Sequence, residues 1–265
     1  MTTTSSAALP PARPDRIDPA LADRVMDAVH LAGLPIAHGG SGPGVHLRPA
    51  QPLTDTDLCD GQLALHWVPS RRLADAAATE QHRQPAAHAH QRVIHALQHA
   101  LETFLPALGA TTTRCLGWEV RVPAADPLPE GLNGALLPRP TRPEPIAPGI
   151  RPDIIEAVHR AAALAGLPVA LCPADPGITL RPCPPLDLDD DTTGIPDLGW
   201  NPSRRLTAVT TGRTAWSLRT AIEDAMRKAL PTALGACGLE VWWRQPEGLP
   251  GQLRSYGPTT PPIRR

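Results

Sequence analysis

The pattern Trp-x-Pro-Ser-Arg-Arg-Leu occurs twice in this chain, at 67–73 and at 200–206, 133 positions apart. The match extends beyond this motif, because residues 17–73 align with 150–206 without a gap and share 26 identities in 57 positions. Further along, LPALGA in the first copy matches LPTALGA in the second. A repeat of about a hundred residues has the size of a domain and exceeds the period of solenoid repeats. The sequence therefore predicts a tandem duplication.

The duplication divides the chain into five segments. Two α+β repeats are predicted at 17–136 and 150–253, joined by a proline-rich linker at 137–149. Such a linker favours extended, polyproline-like conformations and acts as a semi-stiff spacer. The two ends, 1–16 and 254–265, are rich in Pro, Thr and Ser, which is typical of disordered tails.

An amphipathic helix is predicted to open each repeat. Its apolar residues recur at helical spacing, at Leu21, Val25 and Ala28 in the first copy and at Ile154, Val158 and Ala161 in the second. Asp18 is the candidate N-cap of the first helix. Short strands are expected to follow at 44–48 and 177–181.

Two further strands are expected after the first one in each repeat. The second strand of the first copy is marked by apolar residues that alternate onto one face, namely Leu63, Leu65 and Trp67. Pro196 predicts a shorter strand in the second copy, because proline cannot donate a backbone hydrogen bond. Segments 71–77 and 204–210 are expected to continue as a third strand after a Pro-Ser turn.

A long helix and a last strand complete each repeat. GWEV at 117–120 aligns with GLEV at 238–241, which predicts equivalent last strands. The order α-β-β-β-α-β favours an α+β fold, in which each module has an antiparallel sheet with two helices packed on one face. We expect the two modules in a pseudo-two-fold arrangement, each folded around its own hydrophobic interior.

Composition indicates a cytoplasmic protein from a bacterium. No apolar run is long enough to span a membrane, and the first residues lack the pattern of a secretion signal. Of the 25 Lys and Arg residues only Lys228 is a lysine, which suggests a GC-rich genome. The five cysteines form no C-x-x-C pair and are not matched between the copies, so reduced thiols are expected.

Trp67 and Trp200 occupy matched positions, and two interpretations are open. On a strand with alternating leucines, a tryptophan ring points into the core, where it buries about 150–250 Å². Alternatively, the ring is a stacking platform for a ligand beside the arginine pair. The alternation with Leu63 and Leu65 favours the core.

Three arginines recur in each copy: Arg48, Arg71 and Arg72 in the first, and Arg181, Arg204 and Arg205 in the second. Two guanidinium groups beside a Pro-Ser turn can bind a phosphate or a carboxylate bidentately. They can also pair with carboxylates on neighbouring strands, for which Glu119 and Glu240 are the aligned candidates. Both interpretations stay open, with structural pairing favoured over ligand or partner binding.

Charge disfavours nucleic acid as the main partner. The segment 17–136 holds 8 basic and 12 acidic residues, and 150–253 holds 10 basic and 12 acidic residues. Duplex binding depends on the neutralisation of phosphates, and both repeats carry the opposite overall sign. A local arginine surface keeps nucleic acid open as an alternative, since net charge is not the field at one face.

The sequence contains no recognisable catalytic constellation. Ser70 and Ser203 have no aligned histidine to activate them, and the glycine-rich HGGSGPG segment lacks the spacings of nucleotide-binding loops. His88, His95 and His99 would share one helix face and form a candidate metal site, but the second copy has other residues at these positions. No cofactor is predicted.

These observations favour a non-enzymatic binding or adaptor protein made of two duplicated modules, with an unknown protein as its partner. One alternative is a nucleic-acid-associated protein that uses the Trp-x-Pro-Ser-Arg-Arg corners and the basic tails. A second alternative is an enzyme with its site between the modules, where clefts often form. No membrane partner is expected.

Overall fold

The computed structural model describes residues 17–37, 42–52, 59, 61–79, 85–114, 119–129, 132, 149–172, 175–186, 189–208, 213–245, 251–260 and 262–263. Within these ranges the chain is an α+β protein with two four-stranded antiparallel sheets and six α-helices. They form two similar sheet–helix units, which we call unit 1 (17–132) and unit 2 (149–263). The expected tail 1–16 lies outside the described residues, and so does the expected linker except for its last residue.

The two units have the same order of elements. Unit 1 contains α1 (Pro19–Leu31), β1 (Gly44–Pro49), β2 (Leu63–Val68), α2 (Arg71–Thr79), α3 (Pro85–Phe104), a short 3-10 helix (Leu105–Leu108), β3 (Ala110–Arg114) and β4 (Val120–Ala125). Unit 2 contains α4 (Pro152–Ala165), β5 (Gly177–Pro182), β6 (Pro196–Asn201), α5 (Arg204–Ala208), α6 (Arg213–Ala236), β7 (Leu239–Arg244) and β8 (Gln252–Pro258). The strand order is β1-β2-β4-β3 in one sheet and β5-β6-β8-β7 in the other. Strands β3 and β7 are therefore edge strands.

Local signals explain where the opening helices begin and end. The side chain of Asp18 accepts a hydrogen bond from the backbone N–H of Ala20 at 3.0 Å and caps α1. Gly166 ends α4 with a φ of 81°, a left-handed conformation that glycine adopts without a Cβ clash. The apolar stripes predicted for both helices are buried.

The expected third strand is wrong in both units, because the chain turns into a helix after the Pro-Ser corner. Residues 71–79 form α2, and α5 begins at Arg204. Ser70 is the physical cause in unit 1, since its Oγ accepts a hydrogen bond from the backbone N–H of Leu73 at 3.3 Å. The residues that follow, RRLADAAAT, are strong helix formers and include only one β-branched residue.

The predictions for the remaining strands need three corrections. β6 is as long as β2, because Pro196 is the first residue of the strand, a position where proline is tolerated. Each unit ends in two strands rather than one. The second of these in unit 2, β8, includes residues 254–258, which were expected to belong to a disordered tail.

The last strands also correct the alignment between the copies. Val120 of GWEV starts β4 beside β2, whereas the GLEV segment lies in the edge strand β7. Ala64 pairs with Arg121 across β2 and β4, and Asp197 pairs with Arg254 across β6 and β8. The spacing of 133 residues is therefore retained between Arg121 and Arg254. Val120 and Val241, the last residues of GWEV and GLEV, lie in strands that have different places in their sheets.

Most of the buried apolar side chains form one core that includes residues of both units, and Ala50, Cys59 and Ala64 form a second, small cluster. The long helices α3 and α6 pack against each other and join the two halves. We expected a separate interior for each module, and the structure corrects this. The physical reason is the wide apolar surface of α3, on which nine apolar side chains are buried and which packs against α6 of the other unit.

Candidate functional site

The repeated tryptophans lie in the contact between the two units. Trp67 is fully buried and Trp200 is 4% exposed. The indole Nε1–H of Trp67 donates to the carbonyl oxygen of Ala165 in the other unit at 3.0 Å. Trp200 donates in the same way to the carbonyl oxygen of Ala32 at 2.8 Å. Each indole thus satisfies a carbonyl at the end of the other unit's first helix, where intrahelical partners are missing.

The Pro-Ser corners extend this contact. The backbone N–H of Ser70 donates to the carbonyl oxygen of Leu164 at 3.1 Å, and that of Ser203 donates to Leu31 at 2.9 Å. The glycines that follow these helices leave room for the approach. A Cβ on Gly33 would lie 2.9 Å from the carbonyl oxygen of Asn201. We call this contact the seam, formed by 31–33 and 67–70 of unit 1 with 164–166 and 200–203 of unit 2.

The arginines of the repeated motif occupy unequal environments. Arg205 is 8% exposed and forms an ion pair with Asp27 of unit 1, with 3.6 Å between Nη2 and Oδ1. Arg71 is fully at the surface, 3.4 Å from Asp75 in an i,i+4 pair. Arg72 is exposed and Arg204 half-buried. The four side chains therefore do not form two equal anion-binding corners.

The other repeated arginines also differ between the units. Arg48 forms an ion pair with Glu119, as the structural interpretation expected. Arg181 is exposed, and Glu240, its expected partner, instead accepts a hydrogen bond from the indole N–H of Trp242 at 2.9 Å. Glu240 lies in the edge strand β7, whereas Glu119 directly precedes the inner strand β4, so Glu240 does not take the place of Glu119.

The candidate metal ligands His88, His95 and His99 lie exposed on α3. His99 is 3.5 Å from Glu102 on the same helix. The described part of the chain holds no group of three or more His, Cys, Asp or Glu side chains that could bind a metal ion.

An exposed aromatic surface on β7 is the feature that sequence reasoning missed. Trp242 is 59% exposed and Trp243 is 44% exposed, on an edge strand that pairs only with β8 among the described residues. A cleft of about 400 Å³ is lined by Glu240, Trp242, Trp243, Arg244 and Tyr256. We call these five residues the aromatic edge. Edge strands expose unpaired backbone groups, so this surface offers both apolar area and hydrogen bonds.

The position of Trp243 is fixed by its neighbours. The guanidinium of Arg227 on α6 lies 5.6 Å from the centre of the Trp243 ring, within the range of a cation–π contact. A Cβ at position 251 would overlap the same ring, so the glycine there is required for the packing. The aromatic edge is therefore held against unit 2 and is not a free loop.

A buried ion pair supports the neighbouring strand. Arg254 is 1% exposed, and its guanidinium binds both carboxylate oxygens of Asp190, with 2.6 Å between Nη1 and Oδ1. The hydrogen bond from Arg254 lowers the pKa of Asp190 to about 2. A second cleft, of about 600 Å³, lies beside this pair and the aromatic edge and is lined by Leu186, Asp189, Asp190, Trp243, Arg244, Gln245 and Arg254.

A signal for the aromatic edge was present in the sequence. Adjacent residues of a strand point to opposite faces, so Trp242 and Trp243 cannot both enter one core. Trp67 and Trp200 occupy matched positions in the two units, whereas neither Trp242 nor Trp243 has a matched tryptophan in unit 1. The residues that differ between the two units therefore indicated this exposed surface, and the matched residues did not.

No protein-family model matches the chain, and neither does any curated protein or solved structure. No helix in the described ranges combines the length and the apolar character that crossing a membrane would require.

Proposed function

We propose that this chain is a non-enzymatic binding protein, or adaptor, that holds an extended segment of a partner protein along β7. We further propose that its two units descend from one duplicated module and pair in a pseudo-two-fold arrangement through the seam. The fused units then provide a rigid support for one binding edge. The observation that carries this proposal is the exposure of two adjacent tryptophans on an edge strand.

The chemistry of the aromatic edge favours a peptide that adds a strand to the sheet. In this mode, backbone hydrogen bonds supply affinity and alternate side chains supply specificity. Tryptophan and arginine dominate the binding energy of protein interfaces, and both are present here. Arg244 at the end of β7 suits a carboxylate of the bound segment, and Trp242 suits an apolar side chain.

Two other occupants are less well supported. A second copy could pair with β7 in antiparallel fashion, with Glu240 opposite Arg244, but a stable dimer buries about 1,200–2,000 Å². One strand of six residues is short for that area. Single-stranded nucleic acid also stacks on aromatic side chains, but Glu240, Asp189 and Asp190 line the same clefts and repel phosphates.

The test is selection of peptides from a random library displayed on phage, followed by fluorescence titration of a synthetic peptide from that selection. The double variant Trp242→Thr/Trp243→Thr gives β7 the threonine character of β3. We expect it to weaken peptide binding at least about tenfold, since interface hot spots are worth about 2 kcal/mol or more. The matched control is Thr111→Ala/Thr113→Ala in β3, which should leave binding unchanged.

Three results would overturn the proposal. Peptides enriched equally on the Trp242→Thr/Trp243→Thr variant would show that β7 is not the site. Self-association in sedimentation that disappears in this variant would assign the edge to a second copy of the chain. Tight, salt-dependent binding of oligo(dT) with no peptide enrichment would favour nucleic acid.

A further inference from the structure

A small polar cleft lies between the β5–β6 hairpin and α6 and adjoins the aromatic edge through Arg227, whose guanidinium contacts the Trp243 ring. Its volume is about 80 Å³, and it is lined by Thr179, Arg181, Asp197, Gly199, Trp200, Asn201, Arg219, Glu223 and Arg227. Three arginines and two carboxylates thus surround a space of the size of a small ion.

The corresponding place in unit 1 is neutralised. The β1–β2 and β5–β6 hairpins have the same register, in which Arg48 pairs with Ala64 and Arg181 pairs with Asp197. Arg48 is held by Glu119, two residues before Arg121. In unit 2, the residue two before Arg254 is Gln252, which cannot supply a charge. Among the described residues, no carboxylate lies within ion-pair distance of Arg181.

The corresponding place in unit 1 is also filled. His66 on β2 meets Gln98 on α3, with 3.4 Å between Nδ1 and Nε2. Burial lowers the pKa of His66, and the positive charge of Arg48 lowers it further. In unit 2, Gly199 stands where His66 would be, so the space above the hairpin stays open. A Cβ at position 199 would lie 2.7 Å from the Oγ1 of Thr179, so a larger residue there would require the Thr179 side chain to move.

Several charged side chains of the unit 2 cleft are already engaged in contacts within the protein. Glu223 is engaged by Arg219, with 2.6 Å between Oε1 and Nε. Asp197 accepts a hydrogen bond from the backbone N–H of Leu253 at 2.8 Å. Arg227 is oriented by the Trp243 ring, 5.6 Å from its guanidinium. Asp197 interacts electrostatically with both Arg181 and Arg227, so two guanidinium charges share this one carboxylate.

We propose that this cleft binds an oxyanion, the phosphate or carboxylate group of a small ligand, between Arg181 and Arg227. Guanidinium groups bind such anions through paired, charge-assisted hydrogen bonds. Burial raises the pKa of Asp197 even though Arg227 and Arg181 act against this shift. The three arginines of the lining outnumber its two carboxylates, which leaves a net positive charge for a bound anion.

The experiment titrates the full chain with inorganic phosphate and, separately, with succinate, at constant ionic strength, by calorimetry. Arg181→Gln and Arg227→Gln should each weaken binding of the preferred anion at least about tenfold, because each removes a charge-assisted contact. The matched control is Arg48→Gln, the same substitution at the equivalent position of unit 1, and it should leave the affinity unchanged. The stronger of the two anions identifies the ligand as a phosphate or a carboxylate.

A second measurement does not depend on the variants. In amide NMR spectra of the wild-type chain, phosphate or succinate should shift the signals of Thr179, Gly199 and Arg227 and leave those of His46 and His66 in place. Equal affinity in all three arginine variants, or no saturable binding of either anion, would overturn the proposal. The variant Trp242→Ala should retain anion binding, so the fate of this site is independent of the proposed peptide site.

Discussion

The two units are alike where they meet and different where they face outward. At the seam, Trp67 and Trp200 donate to equivalent carbonyl oxygens across the contact. At the outer edge, β3 is the segment ATTTR and β7 is the segment LEVWWR. Each seam residue must fit the other unit as well as its own, and the two units share the same residues there except at Val68 and Asn201.

The difference between the edges indicates where specificity lies. The tryptophans retained in both units serve a contact that both units make, and that contact is internal. A residue present in one unit only is free of this constraint. The aromatic edge and the polar cleft both belong to unit 2 and both depend on residues that unit 1 lacks, such as Trp243 and Gly199. This comparison predicts that substitutions at the seam act on stability and substitutions at the edge act on binding.

The largest effect is expected at the seam. Trp67→Ala and Trp200→Ala should each lower the free energy of unfolding by about 3–5 kcal/mol, because each removes a buried ring and its hydrogen bond. The two losses should be similar, since the rings make equivalent contacts. Urea denaturation monitored by circular dichroism measures them. If Trp67→Ala lowered the free energy of unfolding strongly and Trp200→Ala hardly changed it, the comparison would be wrong, because the seam would then depend on one tryptophan only.

A smaller effect is expected at the buried ion pair of unit 2. Asp190→Asn should lower the free energy of unfolding by about 3 kcal/mol, because it leaves the charge of Arg254 buried without its partner. The exposed Asp224→Asn is the control and should change stability by less than about 0.5 kcal/mol.

The same pair predicts a pH dependence. The pKa of Asp190 is lowered to about 2, so the ion pair stabilises the folded chain fully above the ordinary aspartate value. This stability is lost as the pH falls from about 4 through about 2. In denaturation curves over this range, wild type and Asp190→Asn should converge. Curves that stay parallel would show that Asp190 is not titrating in the pair.

The smallest effect separates the two surface arginines. Arg48→Gln removes the ion pair between Arg48 and Glu119, both of which are partly exposed. It should lower the free energy of unfolding by about 0.5–1 kcal/mol. Arg181→Gln should cost less, since Arg181 is exposed and its expected partner Glu240 contacts Trp242 instead. Thermal denaturation of the two variants side by side measures the difference between their losses of stability. Equal losses would indicate that Arg181 has a structural role like that of Arg48.

Local patterns in the sequence predicted the α+β class, the opening helices and the first hairpin of each unit. These elements depend on neighbours along the chain: apolar spacing, the Asp18 cap and the alternation in β2. The prediction of a third strand was wrong because the Ser70 cap and the helix-forming residues after it favour a helix over an extended segment. The alignment of the last strands was wrong because GWEV and GLEV are similar in sequence, although Val120 lies in the inner strand β4 and Val241 in the edge strand β7.

Sequence alone determined that one pattern is used twice and that its parts are helices and antiparallel strands. Only the tertiary structure decided that the repeated tryptophans bind the opposite unit, and that unrepeated ones form the exposed edge. The reason is physical: hydrogen bonds such as that from Trp200 to Ala32 join residues 168 positions apart. No local propensity encodes such a contact, which forms only when two units pack around one core.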